Sequence, residues 1–174
     1  MKSIISIIAG GTVIFAVIGI YLASCKYVLR QACNNMEAGN FSRAKFLAKI
    51  LSFTPLKTGG YEILGEIAQN NAEFAEAVRL FNIALSRDNT LDNSWSGLFE
   101  CHIFMDNFSE AARVISEAVV LLPDNELIHV YNLLAKKTTG SELSQVELAL
   151  LAKNGIDLEQ QADIKGVLLK MCKS

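Results

Sequence analysis

Residue types that usually mark a reactive or cross-linked site are scarce in this chain of 174 residues. It has two histidines, His102 and His129, and none of its four cysteines belongs to a CxxC pair. This pattern excludes a disulfide-dense fold and gives little support to a zinc or thioredoxin-like redox site. No glycine-rich phosphate loop follows a strand pattern. We therefore expect no enzymatic activity, no cofactor and no metal site.

Charge is nearly balanced overall but unevenly distributed. The chain has 16 Lys and Arg against 18 Asp and Glu, which argues against a general nucleic-acid binder, so we expect no nucleic-acid partner. Residues 26–57 contain six basic side chains and one acidic one, whereas residues 58–125 contain three basic and eleven acidic ones. A basic segment is thus followed by an acidic one.

Residues 3–24 form a run of 22 residues without a charge. As a helix rising about 1.5 Å per residue, this run is long enough to cross a bilayer core. We expect a single transmembrane anchor in residues 1–25. The alternative is a lipoprotein signal peptide, because the Leu-Ala-Ser-Cys sequence at 22–25 resembles a lipobox with Cys25 as the lipidated residue. The long run and the helical sequence after Cys25 favour the anchor.

The basic residues around the run predict its orientation. Only Lys2 precedes it, whereas six basic residues follow it within residues 26–57. The positive-inside rule favours a cytoplasmic C-terminal domain, and the basic segment suits anionic lipid headgroups. Under the alternative, the protein is lipid-anchored in the bacterial envelope.

Small residues recur within the run at alternating spacings of three and four. They place one narrow helix face where another transmembrane helix can approach closely: Ala9, Thr12, Ala16, Gly19 and Ala23. The alternative explanation is that small residues are simply frequent in this segment.

Residues 59–91 and 93–125 align at an offset of 34 residues. The matching pairs are Tyr61 with Trp95, Leu64 with Leu98, Ala77 with Ala111, Phe81 with Ile115, and Ala84 with Ala118. An earlier, degraded copy carries Ala32, Ala44 and Pro55. Together with Gly65 and Pro123, these residues resemble the tetratricopeptide repeat. The resemblance implies an all-α solenoid of helix hairpins, with three repeats in residues 26–125 (the first degenerate) and a helical cap in residues 126–174.

Several local expectations follow from the repeats. The first helix of the degraded repeat continues the membrane span, and inner turns lie at Gly39-Asn40, Asn70-Asn71 and Asp106-Asn107. Phe99 stands where the repeat has a small residue, which predicts a wider local spacing between the packed helices or a shifted helix. In the cap, Ser141 is expected to begin a helix over residues 142–153, and Asp157 one over residues 158–172. We expect His102 to be buried for structural reasons and His129 to lie on a solvent or groove face.

The resemblance also implies a concave surface, lined by the first helix of each repeat, that holds a protein partner. The exposed positions expected there are Glu62, Glu66, Gln69, Asn70, Asn93, Ser96, Glu100, Ile103 and Phe104. The family's clamp for a C-terminal carboxylate is absent, because glutamates occupy this region. We expect a partner with basic residues flanking an apolar anchor that packs on Ile103 and Phe104. The alternative is that these glutamates form an ordinary solvated face.

Two functions are compatible with these features. The first is a membrane-anchored protein-interaction module that recruits or assembles a complex, including a stable accessory subunit. The second is an exported repeat lipoprotein that acts in envelope, pilus or secretion-system assembly.

Overall fold

The structure is a computed structural model that describes residues 2–138, 140–156 and 164–171. Within these ranges all regular elements are α-helices, which confirms the predicted all-α class. The chain divides into two compact units, Met1–Leu64 and Gly65–Ser174. The helices are α1 (Lys2–Glu37), α2 (Phe41–Leu51), α3 (Lys57–Asn70), α4 (Phe74–Leu85), α5 (Asp92–Phe104), α6 (Phe108–Leu121), α7 (Glu126–Thr138), α8 (Gln145–Lys153) and α9 (Ile164–Met171).

The first unit is built on α1, an unbroken helix of 36 residues. Its segment Ile14–Glu37 has a mean hydropathy of 1.3 and is only 6% buried. By length and composition this helix suits either a membrane span or a signal sequence. The expected continuity between the apolar run and the first helix of the degraded repeat is present. Ala16, Gly19 and Ala23 are exposed on α1, whereas the side chains of Ala9 and Thr12 lie outside the described part.

A hairpin joins α1 to α2. The chain reverses at Gly39, whose φ of 73° is readily adopted by glycine. The buried face of α2 consists of small or aliphatic residues, Ala44, Ala48 and Leu51, all fully buried. A Cβ added at Gly60 would lie 2.9 Å from the Ala48 carbonyl oxygen, so α3 begins in close contact with α2. Small residues therefore set the packing distance in this unit.

The core of the second unit is organised around Phe81 of α4, which is fully buried. A Cβ added at Gly65 of α3 would lie 2.7 Å from the ring, and one added at Gly97 of α5 would lie 2.5 Å from it. Gly65 thus allows α3 to approach the Phe81 ring closely. Gly97 provides a second close approach, which the repeat pattern does not predict.

The inner turns of the three hairpins share one backbone feature. Gly39, Ala72 and Asp106 adopt positive φ values of 73°, 59° and 56°. These residues lie at or within two positions of the predicted inner turns. The period of the repeats is therefore preserved in the turn geometry, even where the residue type is not glycine.

The C-terminal helices differ locally from expectation. The helix predicted to begin after Ser141 starts at Gln145, and Ser144 is its N-cap, forming a capping box with Glu147. Ser144 is the cap because Glu147, three residues later, accepts a hydrogen bond from the Ser144 backbone N–H. Only residues 164–171 of the last predicted helix are described, and its proposed cap, Asp157, lies outside the described residues.

Candidate partner-binding surface

A carboxylate on α5 forms hydrogen bonds with side chains of two other helices, α3 and α7. Gln69 Nε2 on α3 donates a 2.6 Å hydrogen bond to Glu100 Oε2. Tyr131 Oη on α7 donates a 2.7 Å hydrogen bond to Glu100 Oε1. Both carboxylate oxygens of Glu100 are therefore engaged by neutral donors. We call these three residues the Glu100 network.

Burial governs the electrostatics of Glu100. Desolvation raises its pKa, and the hydrogen bonds from Tyr131 and Gln69 oppose the rise only in part. Within residues 2–138, 140–156 and 164–171, none of the ion pairs involves Glu100. The ionised side chain is thus half-buried with no cationic partner in the described chain, which is an unfavourable state that a cation would relieve.

Stacking supports the network from one side. The Tyr131 ring packs on Phe99 with a centroid distance of 4.6 Å and an interplanar angle of 26°. Both residues are buried, with 3% and 0% of their surface exposed. Phe99, which occupies a position where a small residue was expected, is accommodated by this stack. The Tyr131 hydroxyl is consequently held in a defined position beside Glu100.

The structure places the other predicted surface residues at different depths. Asn70 and Asn93 are exposed, whereas the half-buried ones are Glu62, Glu66, Gln69, Ser96, Glu100 and Phe104. Ile103 is only 2% exposed, so its expected role as an exposed contact is wrong. The physical reason is that α5 packs against both α4 and α6, which leaves little of its last turns open.

The predicted apolar anchor site is also occupied from within. Phe104 stacks on Phe74 of α4 with a centroid distance of 5.0 Å and an interplanar angle of 11°. With Ile103 buried and Phe104 half-buried in this stack, the pair does not form an open apolar pocket.

Tyr131 is the member of the network that sequence reasoning missed. A usable signal existed in the spacing, because Gln69, Glu100 and Tyr131 are separated by 31 residues at each step. That spacing is the repeat period of 34 residues shortened by about one helical turn. In the Glu100 network, the side chains that meet across neighbouring helices are therefore 31 residues apart, not 34.

The remaining reactive side chains have structural surroundings. His102 is 8% exposed, as expected for a buried histidine, and its Nδ1 has no hydrogen-bond partner among the described residues. His129 Nε2 lies 2.7 Å from the Pro123 carbonyl oxygen. Burial raises the pKa of the Cys101 thiol to about 12, so this thiol stays protonated at neutral pH. The described part of the chain contains no cluster of His, Cys, Asp and Glu suited to a metal ion.

Comparison with known proteins gives a structural match alone. No family model matches the sequence. No curated protein matches it either. A solved structure of a mutant of MamA, a tetratricopeptide-type protein, superposes with a TM-score of 0.53 at 12% identity and covers 85% of each chain. At this identity the likeness concerns the fold. The chain has a tetratricopeptide-like helical repeat fold.

Proposed function

We propose that this protein is a non-enzymatic, membrane-anchored scaffold whose helical repeats bind a protein partner at the Glu100 network. In this role it recruits or assembles a protein complex at the membrane. A variant of the same role is that of a stable accessory subunit of such a complex. The observation that carries the proposal is the Glu100 carboxylate, which is half-buried and accepts hydrogen bonds from two neutral side chains, one on α3 and one on α7.

A basic side chain from the partner is the ligand that this carboxylate best accommodates. A hydrogen bond between charged groups contributes roughly 1.5–3 kcal/mol, which corresponds to about a tenfold to hundredfold change in affinity. The surrounding sequence adds the same sign of charge, because residues 58–125 carry eleven acidic side chains against three basic ones. The expected partner therefore presents Lys or Arg, with the apolar part of its contact made away from Ile103.

The proposed anchor is α1. Support comes from its length, its apolar and exposed surface, and the six basic residues in the segment 26–57, which favour a cytoplasmic repeat domain. The exposed positions Ala16, Gly19 and Ala23 are open to a second transmembrane helix. The length of the charge-free run and the helical sequence after Cys25 favour a retained anchor over lipidation.

The lipobox-like sequence that ends at Cys25 leaves a second candidate, an exported lipoprotein of the envelope. Mass spectrometry of the purified protein separates the two. Retained residues before Cys25 support the anchor, whereas an acylated Cys25 at the N-terminus establishes the lipoprotein.

Partner binding is tested by co-purification of the full chain in mild detergent. E100Q keeps the shape of the side chain and removes its charge. E117Q makes the same change on α6, where Glu117 has 55% of its side chain exposed and pairs with Arg113. We expect the wild type and E117Q to recover similar amounts of partner, and E100Q to recover about tenfold less or lower still. Recovery by the wild type should also fall as the salt concentration rises. Equal recovery with E100Q would refute the role of Glu100.

A further inference from the structure

The first unit carries an apolar stripe that no described part of the unit covers. Phe46, Ile50 and Phe53 are exposed by 64%, 42% and 90%. Their spacing of four and three residues puts them on one side of α2 and of the turn that follows it. The opposite side of α2 is the one buried in the hairpin, through Ala44 and Ala48. We call Phe46, Ile50 and Phe53 the α2 stripe.

Basic side chains surround the α2 stripe. Arg43, Lys49 and Lys57 are exposed and Lys45 is half-buried, whereas no acidic residue occurs between Glu37 and Glu62. An apolar face bordered by cations alone is complementary to an anionic lipid surface, where acyl chains meet the apolar part and headgroups meet the charges.

The hairpin brings this stripe back toward the expected membrane surface. Because α2 runs antiparallel to α1, its 11 residues return along α1 by about 16 Å. One contact within the unit fixes the level that is reached: a Cβ at Gly59 would lie 3.1 Å from Leu29 Cδ1. Gly59, six residues beyond Phe53, therefore lies beside Leu29 of α1.

Leu29 lies close to the end of the charge-free run. It is five residues beyond Ser24, which corresponds to about 7–8 Å of helix. The headgroup zone on each side of a bilayer is roughly 5–8 Å deep. With α1 inserted, the turn at Phe53 thus lies at headgroup depth.

We propose that the α2 stripe is a second membrane contact, in which Phe53 enters the interface of a bilayer containing anionic lipid while Lys49 and Lys57 bind the headgroups. Aromatic rings prefer this interfacial depth. The inference rests on the proposed anchoring by α1. Its consequence is that the first hairpin lies against the bilayer instead of pivoting freely about the end of the span.

The test uses the full chain in nanodiscs of phosphatidylcholine and phosphatidylglycerol, with and without brominated acyl chains that quench tryptophan. F53W adds a reporter to Trp95, the single native tryptophan. V120W is the matched control, since Val120 is 78% exposed on α6. Y21W reports on insertion of α1 itself. We expect bromolipid to quench the added emission of Y21W and F53W by about half or more and that of V120W hardly at all.

Further arms separate the alternatives. Adding K49E and K57E to F53W, or omitting phosphatidylglycerol, should reduce the quenching of F53W at least twofold. If bromolipid quenches the added emission of Y21W but not that of F53W, the inference is overturned and the anchor stands. If it quenches neither, the anchor itself is refuted. A Trp at 53 that is shielded from both bromolipid and aqueous iodide would be covered by protein, a second copy or a partner, and would also overturn the inference.

Discussion

Tyr131 Oη lies 2.7 Å from Glu100 Oε1 and donates a hydrogen bond that joins α7 to α5. The bond stabilises a carboxylate that burial has made harder to ionise. A group of this kind serves binding better than folding, because its charge has lost water without gaining a cation. The same property gives Glu100 a pH dependence that can be measured without knowing the partner.

Glu100 should make folding less favourable as the pH rises. Its pKa is raised above the ordinary value of 4.5 in the folded protein. Between the unfolded and the folded pKa the native state holds more protons, so the free energy of unfolding falls with increasing pH in that window. We expect E100Q to gain stability relative to the wild type as the pH rises through and above 4.5. Urea unfolding in detergent micelles, followed by Trp95 fluorescence from pH 4 to 8, measures this difference.

Glu126 is the matched control with the opposite sign. Hydrogen bonds from Lys153 and Asn154 lower its pKa. E126Q should therefore lose stability relative to the wild type as the pH rises toward and above 4.5, and should differ little at lower pH. Parallel behaviour of E100Q and E126Q would contradict the assignment of Glu100 as a carboxylate destabilised by burial.

The contact of Phe81 with two glycines predicts a strong steric effect. In G97A the new Cβ would lie 2.5 Å from Phe81 Cζ, and the ring is fully buried, so it has little room to move. We expect a loss of about 1–3 kcal/mol in the free energy of unfolding. G19A is the control, since no atom lies within 4 Å of its added Cβ.

A double mutant tests the cause. F81L removes the ring atoms that the new methyl group would meet, so G97A and F81L together should cost less than the sum of the single changes. Additive losses would show that the methyl group acts elsewhere. Denaturation followed by circular dichroism is suitable here, because it does not depend on Trp95.

These residues also show what sequence could and could not predict. Helix hairpins and inner turns were predictable, because turn residues and the 34-residue period are local signals. The depth of Ile103 was not, because it depends on α5 being covered by α4 and α6 at once. Glu100 was identified as a surface residue, but its link to Tyr131 required the offset between neighbouring helices, which is 31 residues.

His102 should impose an acid sensitivity on the second unit. Burial lowers its pKa below 6.5. The smaller effects are the charge of Glu110, which raises the pKa, and the charge of Arg113, which lowers it further. Below pH 6.5 the unfolded chain binds the proton more readily, so the contribution of His102 to stability is lost as the pH falls. We expect the wild type to lose more stability than H102F between pH 7.5 and 5. Equal slopes in urea unfolding would contradict this prediction.

Ala72 offers a direct test of the positive-φ turn that recurs in the three hairpins of this chain. Its φ of 59° is unfavourable for a residue with a Cβ, whereas Gly39 meets the same requirement in the first hairpin without strain. We expect A72G to raise the free energy of unfolding by about 1 kcal/mol, because relief of the left-handed strain outweighs the added freedom of the unfolded chain. D106G is the matched control at a φ of 56°. Its gain should be smaller, because aspartate tolerates this conformation better than alanine. A loss of stability in A72G, measured by urea unfolding through Trp95, would mean that the Ala72 methyl group contributes packing that exceeds the strain of its backbone.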